Sequence, residues 1–129
     1  MDPSVRGPLS GIRVIVVEDE PDSLEFLAFI LENEGAEVAP FGDPNAALDE
    51  LTVRPPDVLL SDLYMPAMSG WELMDRARQR GVRVPAAAIT AHPSIENHAR
   101  SLAVGFSTCI GKPIAPSQLL QLVRELAAR

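Results

Sequence analysis

Five short apolar runs, each followed by a stretch with helical spacing, constrain the fold of this chain more than any other feature. Residues 12–17 form an almost unbroken β-branched run, and further runs follow at 37–40, 57–61, 84–89 and 107–110. Between them lie predicted helices at 20–34, 70–80, 93–103 and 116–128. A further helix is announced by Asp43 as N-cap and Pro44 in its first turn, with Ala46, Ala47, Leu48 and Leu51 as its buried face. Gly35, Gly81 and Gly105 supply stops. Strands that are continuously apolar rather than alternating belong in a parallel sheet covered on both faces, joined by right-handed crossovers.

A chain of 129 residues fits one domain with a substantial core. Residues 1–11 carry Pro3, Ser4, Gly7, Pro8, Ser10 and Gly11 with little apolar material, which reads as a flexible leader before a domain over 12–129. Acidic residues number 18 against 11 basic ones, a net charge of -7. Such a surface is repelled by nucleic acid and by anionic lipid, so direct nucleic-acid binding is not expected. No apolar stretch approaches membrane-spanning length and nothing resembles a signal peptide, so no membrane insertion is expected. Cys109 is the single cysteine and rules out an internal disulfide, and the expected location is cytoplasmic.

Polar residues gather where the apolar runs end. Glu18 and Asp19 leave the first, Asp62 the third and Thr90 the fourth, while Lys112, followed by Pro113, lies just beyond the fifth. In a parallel sheet these ends share one rim, the place where ligands bind. Two like charges 4 Å apart repel by about 4 kcal/mol at an effective dielectric near 20, so three crowded carboxylates call for a cation. Oxygen donors without histidine or cysteine suit Mg²⁺, with Mn²⁺ possible. Taken alone, Glu18 and Asp19 read equally well as caps of the next helix. Lys112 and Thr90 add an ammonium and a hydroxyl, which together with a metal form a receptor for phosphoryl oxygens. Asp62 is then the candidate nucleophile, carrying the group as an acyl phosphate.

The runs VIVVEDE, LLSDLYMPAMSG with Asp62, Met65, Pro66 and Gly70, AITA around Thr90 and IGKP around Lys112 together resemble the receiver domain of two-component response regulators, the CheY-like superfamily. The resemblance covers residues 12–128 and includes receivers attached to hybrid sensor kinases. It implies an α/β, flavodoxin-like (βα)5 fold: a five-stranded parallel sheet of order 2-1-3-4-5 with helices on both faces. It implies that Asp62 accepts a phosphoryl group from a phosphohistidine on a sensor histidine kinase or histidine phosphotransfer protein. By the same resemblance, Asp19, Asp62 and the main-chain carbonyl of Tyr64 bind magnesium, Glu18 acts through water, Thr90 and Lys112 contact the phosphoryl group, and the Lys112–Pro113 peptide is cis. The implied role is a phosphorelay switch rather than an enzyme, promoting its own phosphorylation and slow dephosphorylation. It would signal to a downstream protein, as a single-domain regulator with no output domain.

Some positions depart from the family pattern. Cys109 stands where many receivers carry an aromatic residue that reports on the threonine, and it is expected to be a small buried hydrophobe. Ile114 replaces a common phenylalanine as ordinary core variation. Tyr64 and His92, each two residues past a site residue, are expected to flank the mouth of the site and slow hydrolysis. In the first helix Phe26, Leu27, Ile30 and Leu31 are expected to form the core stripe, leaving Leu24, Ala28 and Phe29 as a docking surface for a phosphodonor. Loss of the aromatic keeps a second reading open, a phosphate-independent protein-interaction module. An aspartate-nucleophile phosphatase would want an acid at position 64, where Tyr64 stands.

Overall fold

The computed structural model describes residues 7–129. Its elements alternate throughout: β1 (Arg13–Val17), α1 (Pro21–Asn33), β2 (Glu37–Phe41), α2 (Pro44–Val53), β3 (Val58–Ser61), α3 (Gly70–Gln79), β4 (Ala86–Thr90), α4 (Ile95–Val104), β5 (Thr108–Gly111) and α5 (Pro116–Ala127). The strands form one five-stranded sheet of order β2-β1-β3-β4-β5, and every pairing is parallel. This is the expected α/β architecture.

Alternation along each strand sends successive side chains to opposite faces, which is why the central strands β3 and β4 are buried throughout. Val14, Val16, Leu60 and Ile89 pack against Leu27 and Leu31 of α1 and Leu119 and Val123 of α5. Ile15, Val17, Leu59 and Ala88 pack against Leu48 and Leu51 of α2 and Leu73 and Met74 of α3. The alanines of β4 are fully buried, leaving room for helices on both sides. Helix α4 contributes less to the core: its single buried residue is Ser101, and it rests on β5 and α3.

Element boundaries follow local chemistry. Asp43 caps α2, its Oδ1 accepting from Asn45 N–H at 2.9 Å, with Pro44 in the first turn. Strand β4 starts at Ala86 rather than at residue 84 because Pro85 has no N–H for the ladder, although its carbonyl accepts from Leu59. Helix α4 starts at Ile95 because the Ser94 hydroxyl caps it, accepting from Asn97 N–H at 3.0 Å.

Two expectations are corrected. The flexible leader over 1–11 does not extend through its second half: Leu9 is fully buried, and its N–H donates to the Glu34 carbonyl at 2.9 Å. Gly7 lies so close to that carbonyl that a Cβ would sit 2.3 Å from the oxygen. Residues 1–6 of the leader fall outside the described residues. In α1, Phe26 is 51% exposed, while Ala28 is buried with Leu27, Ile30 and Leu31. Leu24, Leu27 and Leu31, at the i, i+3, i+7 spacing of one helix face, pack into the core together with Ile30, and Ala28 is buried beside them. Phe26 and Phe29, three residues apart, belong to the neighbouring strip and turn outward.

Candidate functional site

The carboxyl ends of β1, β3, β4 and β5 bring Glu18, Asp19, Asp62, Thr90 and Lys112 to one rim. Ladder bonds extend past the strands to hold them there: Asp62 N–H donates to Val17 O at 2.9 Å, Glu18 N–H to Phe41 O at 3.0 Å, and Lys112 N–H to Thr90 O at 2.7 Å. Gly70 closes the loop after β3 onto the site. A Cβ there would lie 2.2 Å from the Asp62 carbonyl oxygen, so no larger residue fits. The Lys112–Pro113 peptide is cis, as expected.

One carboxylate oxygen from each of Glu18, Asp19 and Asp62 lies within 4.8 Å of the others. Glu18 is 1% exposed, whereas Asp19 is exposed. Asp62 Oδ1 accepts from Leu63 N–H at 2.7 Å, and its Oδ2 lies 3.3 Å from Lys112 Nζ. The same ammonium also donates to Glu18 Oε1. Burial pushes the Glu18 carboxyl above its ordinary value, against the lowering effect of the bond from Lys112. For Lys112 burial works downward, but the bond to Glu18 and the charge of Asp62 outweigh it and hold the ammonium above its ordinary value. One fixed cation therefore pairs with two of the three acids and, among the described residues, leaves Asp19 without a partner charge. The excess negative charge and the all-oxygen donor set fit a hard divalent ion such as Mg²⁺.

Thr90 is fully buried, and its hydroxyl oxygen accepts from His92 N–H at 3.1 Å. Tyr64 is 48% exposed, and its ring stands edge-on to His92 at 5.2 Å and to Trp71 at 5.3 Å. The two residues expected to flank the mouth are thus in contact with each other. Sequence reasoning missed what lies behind them. Asn97 of α4 bonds the Tyr64 hydroxyl and the His92 carbonyl. The Trp71 indole N–H donates to Ser101 Oγ at 3.0 Å, with the Arg100 guanidinium 4.0 Å above the ring. Tyr64 and Asn97 lie 33 residues apart and Trp71 and Ser101 lie 30 apart, and no local pattern announces either pair. Cys109 is half-buried, and burial pushes its thiol up. Ile114 is buried in the core, as expected.

Comparison with known proteins agrees with this geometry. The family model described as the response regulator receiver domain matches residues 14–124. The 14.6 kDa protein in the sodA1 3′ region of Leptolyngbya boryana is 38% identical over 119 residues, covering 91% of each chain. The sensor histidine kinase RcsC of Salmonella typhi is 34% identical over 118 residues; the match takes in 92% of this chain but only 12% of the kinase. Among solved structures, the receiver domain of Francisella response regulator 1452 superposes with a TM-score of 0.87 at 25% identity, covering 92% of this chain and 98% of that one. With the sheet order, the clustered acids and the family match in agreement, the chain belongs to the response regulator receiver domains of two-component systems.

Proposed function

We propose that Asp62 accepts a phosphoryl group from a phosphohistidine on a sensor histidine kinase or histidine phosphotransfer protein, and that the phosphorylated form signals through protein contacts. The observation that carries this reading is the position of Lys112, whose ammonium reaches both Glu18 and Asp62 at the edge of the acid cluster. One Asp62 carboxylate oxygen attacks phosphorus; the N–P bond breaks and its electron pair returns to the donor imidazole. Asp19, Asp62 and the Tyr64 carbonyl would hold a Mg²⁺ ion, with Glu18 acting through water, and the ion would supply positive charge toward the phosphoryl oxygens. Lys112 and Thr90 grip those oxygens.

Hydrogen bonds to charged groups contribute about 1.5 to 3 kcal/mol each, so these two contacts supply roughly 3 to 6 kcal/mol. Moving an equilibrium from 1:99 to 99:1 takes about 5.5 kcal/mol, so the two contacts bias the switch substantially and reach that full reversal only near the top of their range. For the donor, Phe26 borders an apolar cleft of about 350 Å³ shared with Leu27, Ile89, Lys112 and Pro113, and Phe29 is 61% exposed beside it on the same helix. A donor helix seated there would hold its histidine against the site.

The test is incubation with acetyl phosphate, with and without Mg²⁺, followed by intact-mass measurement. The expected result is one added phosphoryl group in Mg²⁺ and none for Asp62→Asn. No gain in the wild-type protein would leave the phosphate-independent interaction module as the function.

A further inference from the structure

Thr90 meets the site with its hydroxyl and meets α4 through a short chain of bonds. Its Oγ1 accepts from His92 N–H at 3.1 Å, and the His92 carbonyl accepts from Asn97 Nδ2 at 2.7 Å. Only the amide nitrogen can donate to a carbonyl, so this bond fixes which way the Asn97 side chain points. The same nitrogen lies 2.9 Å from the Tyr64 hydroxyl, and Asn97 Oδ1 accepts from that hydroxyl at 3.2 Å. Asn97 is itself anchored from both sides. Its N–H donates to Ser94 Oγ at 3.0 Å, and its carbonyl accepts from Ser101 Oγ at 2.7 Å. Ser101 is fully buried and takes the Trp71 indole N–H at 3.0 Å. Tyr64, whose ring touches both Trp71 and His92, is therefore clamped at its far end to the first turn of α4.

We propose that Asn97 is a positioning residue for the Asp62 site: by holding the Tyr64 hydroxyl and the His92 carbonyl together, it keeps the Tyr64 ring packed on His92, whose N–H bonds Thr90, and makes the lifetime of the phosphoryl group depend on α4. The inference rests on Asp62 being the phosphoacceptor. Loss of the group requires a water oxygen to bond to phosphorus while the phosphorus–oxygen bond to Asp62 breaks, the electron pair returning to the carboxylate and the water's protons leaving with the phosphate or to solvent. An aromatic ring fixed two residues beyond Asp62 narrows the path of that water. Released from Asn97, the ring is free to change rotamer. The coupling is reciprocal, so a protein that binds α4 and holds Asn97 in place would lengthen the lifetime.

Decay of the acyl phosphate after loading with acetyl phosphate and Mg²⁺ tests this by intact mass, in the wild-type protein, Asn97→Ala, Tyr64→Phe and the double variant. Tyr64→Phe keeps the ring and removes only its bond to Asn97. Each single variant is expected to decay about threefold faster or more, and the double variant no faster than the quicker single one. Unchanged decay in Asn97→Ala, or effects that multiply in the double variant, would overturn the proposal. A purely structural role for Asn97 predicts a lower melting temperature with wild-type decay, so melting is recorded for each protein. Failure of the wild-type protein to load at all would instead remove the phosphoacceptor reading, and this proposal with it. Trp71, the single tryptophan, gives an independent readout. Its near-ultraviolet signal is expected to change alike in both single variants, and a signal unmoved in both would also count against the clamp.

Discussion

The Lys112 ammonium lies 3.3 Å from Asp62 Oδ2 while also bonding Glu18, so the only fixed cation described at this rim is shared between two acids and leaves Asp19 without one. The arrangement is stable enough to fold and charged enough to attract a second cation.

Removing charge at Asp19 should therefore act in opposite directions on folding and on metal binding. Asp19 is exposed, and its neutralisation relieves repulsion from Glu18 and Asp62. In chelator, Asp19→Asn is expected to gain about 0.5 to 1 kcal/mol by urea denaturation. The wild-type protein at a hundred times the dissociation constant of Mg²⁺ should gain about 2.7 kcal/mol, or roughly 10 °C in melting temperature. Asp19→Asn should lose most of that gain. Equal Mg²⁺ shifts in the two proteins would place the ion elsewhere.

Glu20 gives a pH dependence with a definite sign. Its carboxylate caps α1, accepting from Asp22 N–H at 3.2 Å and Ser23 N–H at 2.7 Å. Those backbone bonds, that from Ser23 foremost, hold it below its ordinary value of 4.5. A depressed folded-state value means that its contribution is fully present above pH 4.5 and is lost as pH falls through the lower folded value. The stability difference between the wild-type protein and Glu20→Gln, followed by denaturation from neutral to acid pH, should hold steady above 4.5 and shrink below it. A difference independent of pH would mean that charge plays no part in the cap.

The rings of Tyr64 and His92, in edge contact at 5.2 Å, should slow water's approach to a phosphorylated Asp62. Tyr64→Asn and His92→Ala are each expected to shorten the acyl-phosphate lifetime, measured by phosphate release after removal of the donor. No acceleration in either variant would show that water reaches the site by another route.

Leu9 should behave as a core residue. It is fully buried beside Val14, Leu31 and Ala36. Leu9→Ala is expected to cost about 2 to 4 kcal/mol by urea denaturation, a loss no flexible leader would show.

The main site was legible in the sequence because strand ends fix it. Once five apolar runs form a parallel sheet, Asp62, Thr90 and Lys112 have nowhere to go but the carboxyl rim. Leu9 was not legible, because its burial depends on a hydrogen bond to Glu34 across the first β-α unit and not on its own proline- and glycine-rich surroundings. Phe26 was misread because two neighbouring strips of α1 are apolar and spacing alone does not say which one meets the sheet. The Tyr64–Asn97 clamp joins residues 33 apart through side chains, and propensity is silent about such a pair.

The exposed pair Phe26 and Phe29 yields a prediction that separates docking from chemistry. Acetyl phosphate is small and needs no docking surface, whereas a phosphohistidine protein must seat itself before its imidazole reaches Asp62. Phe29 is 61% exposed and anchors nothing in the core, so Phe29→Glu should fold with wild-type stability. It places a charge three residues along α1 from Phe26, which lines the apolar cleft with Leu27, Ile89 and Pro113, and a partner covering both positions would have to desolvate it. Transfer from a phosphorylated histidine phosphotransfer protein should fall by about tenfold or more, while loading from acetyl phosphate stays at the wild-type rate. Equal losses with both donors would mean that the substitution reached the site itself, and unchanged transfer with both would move the docking surface off α1.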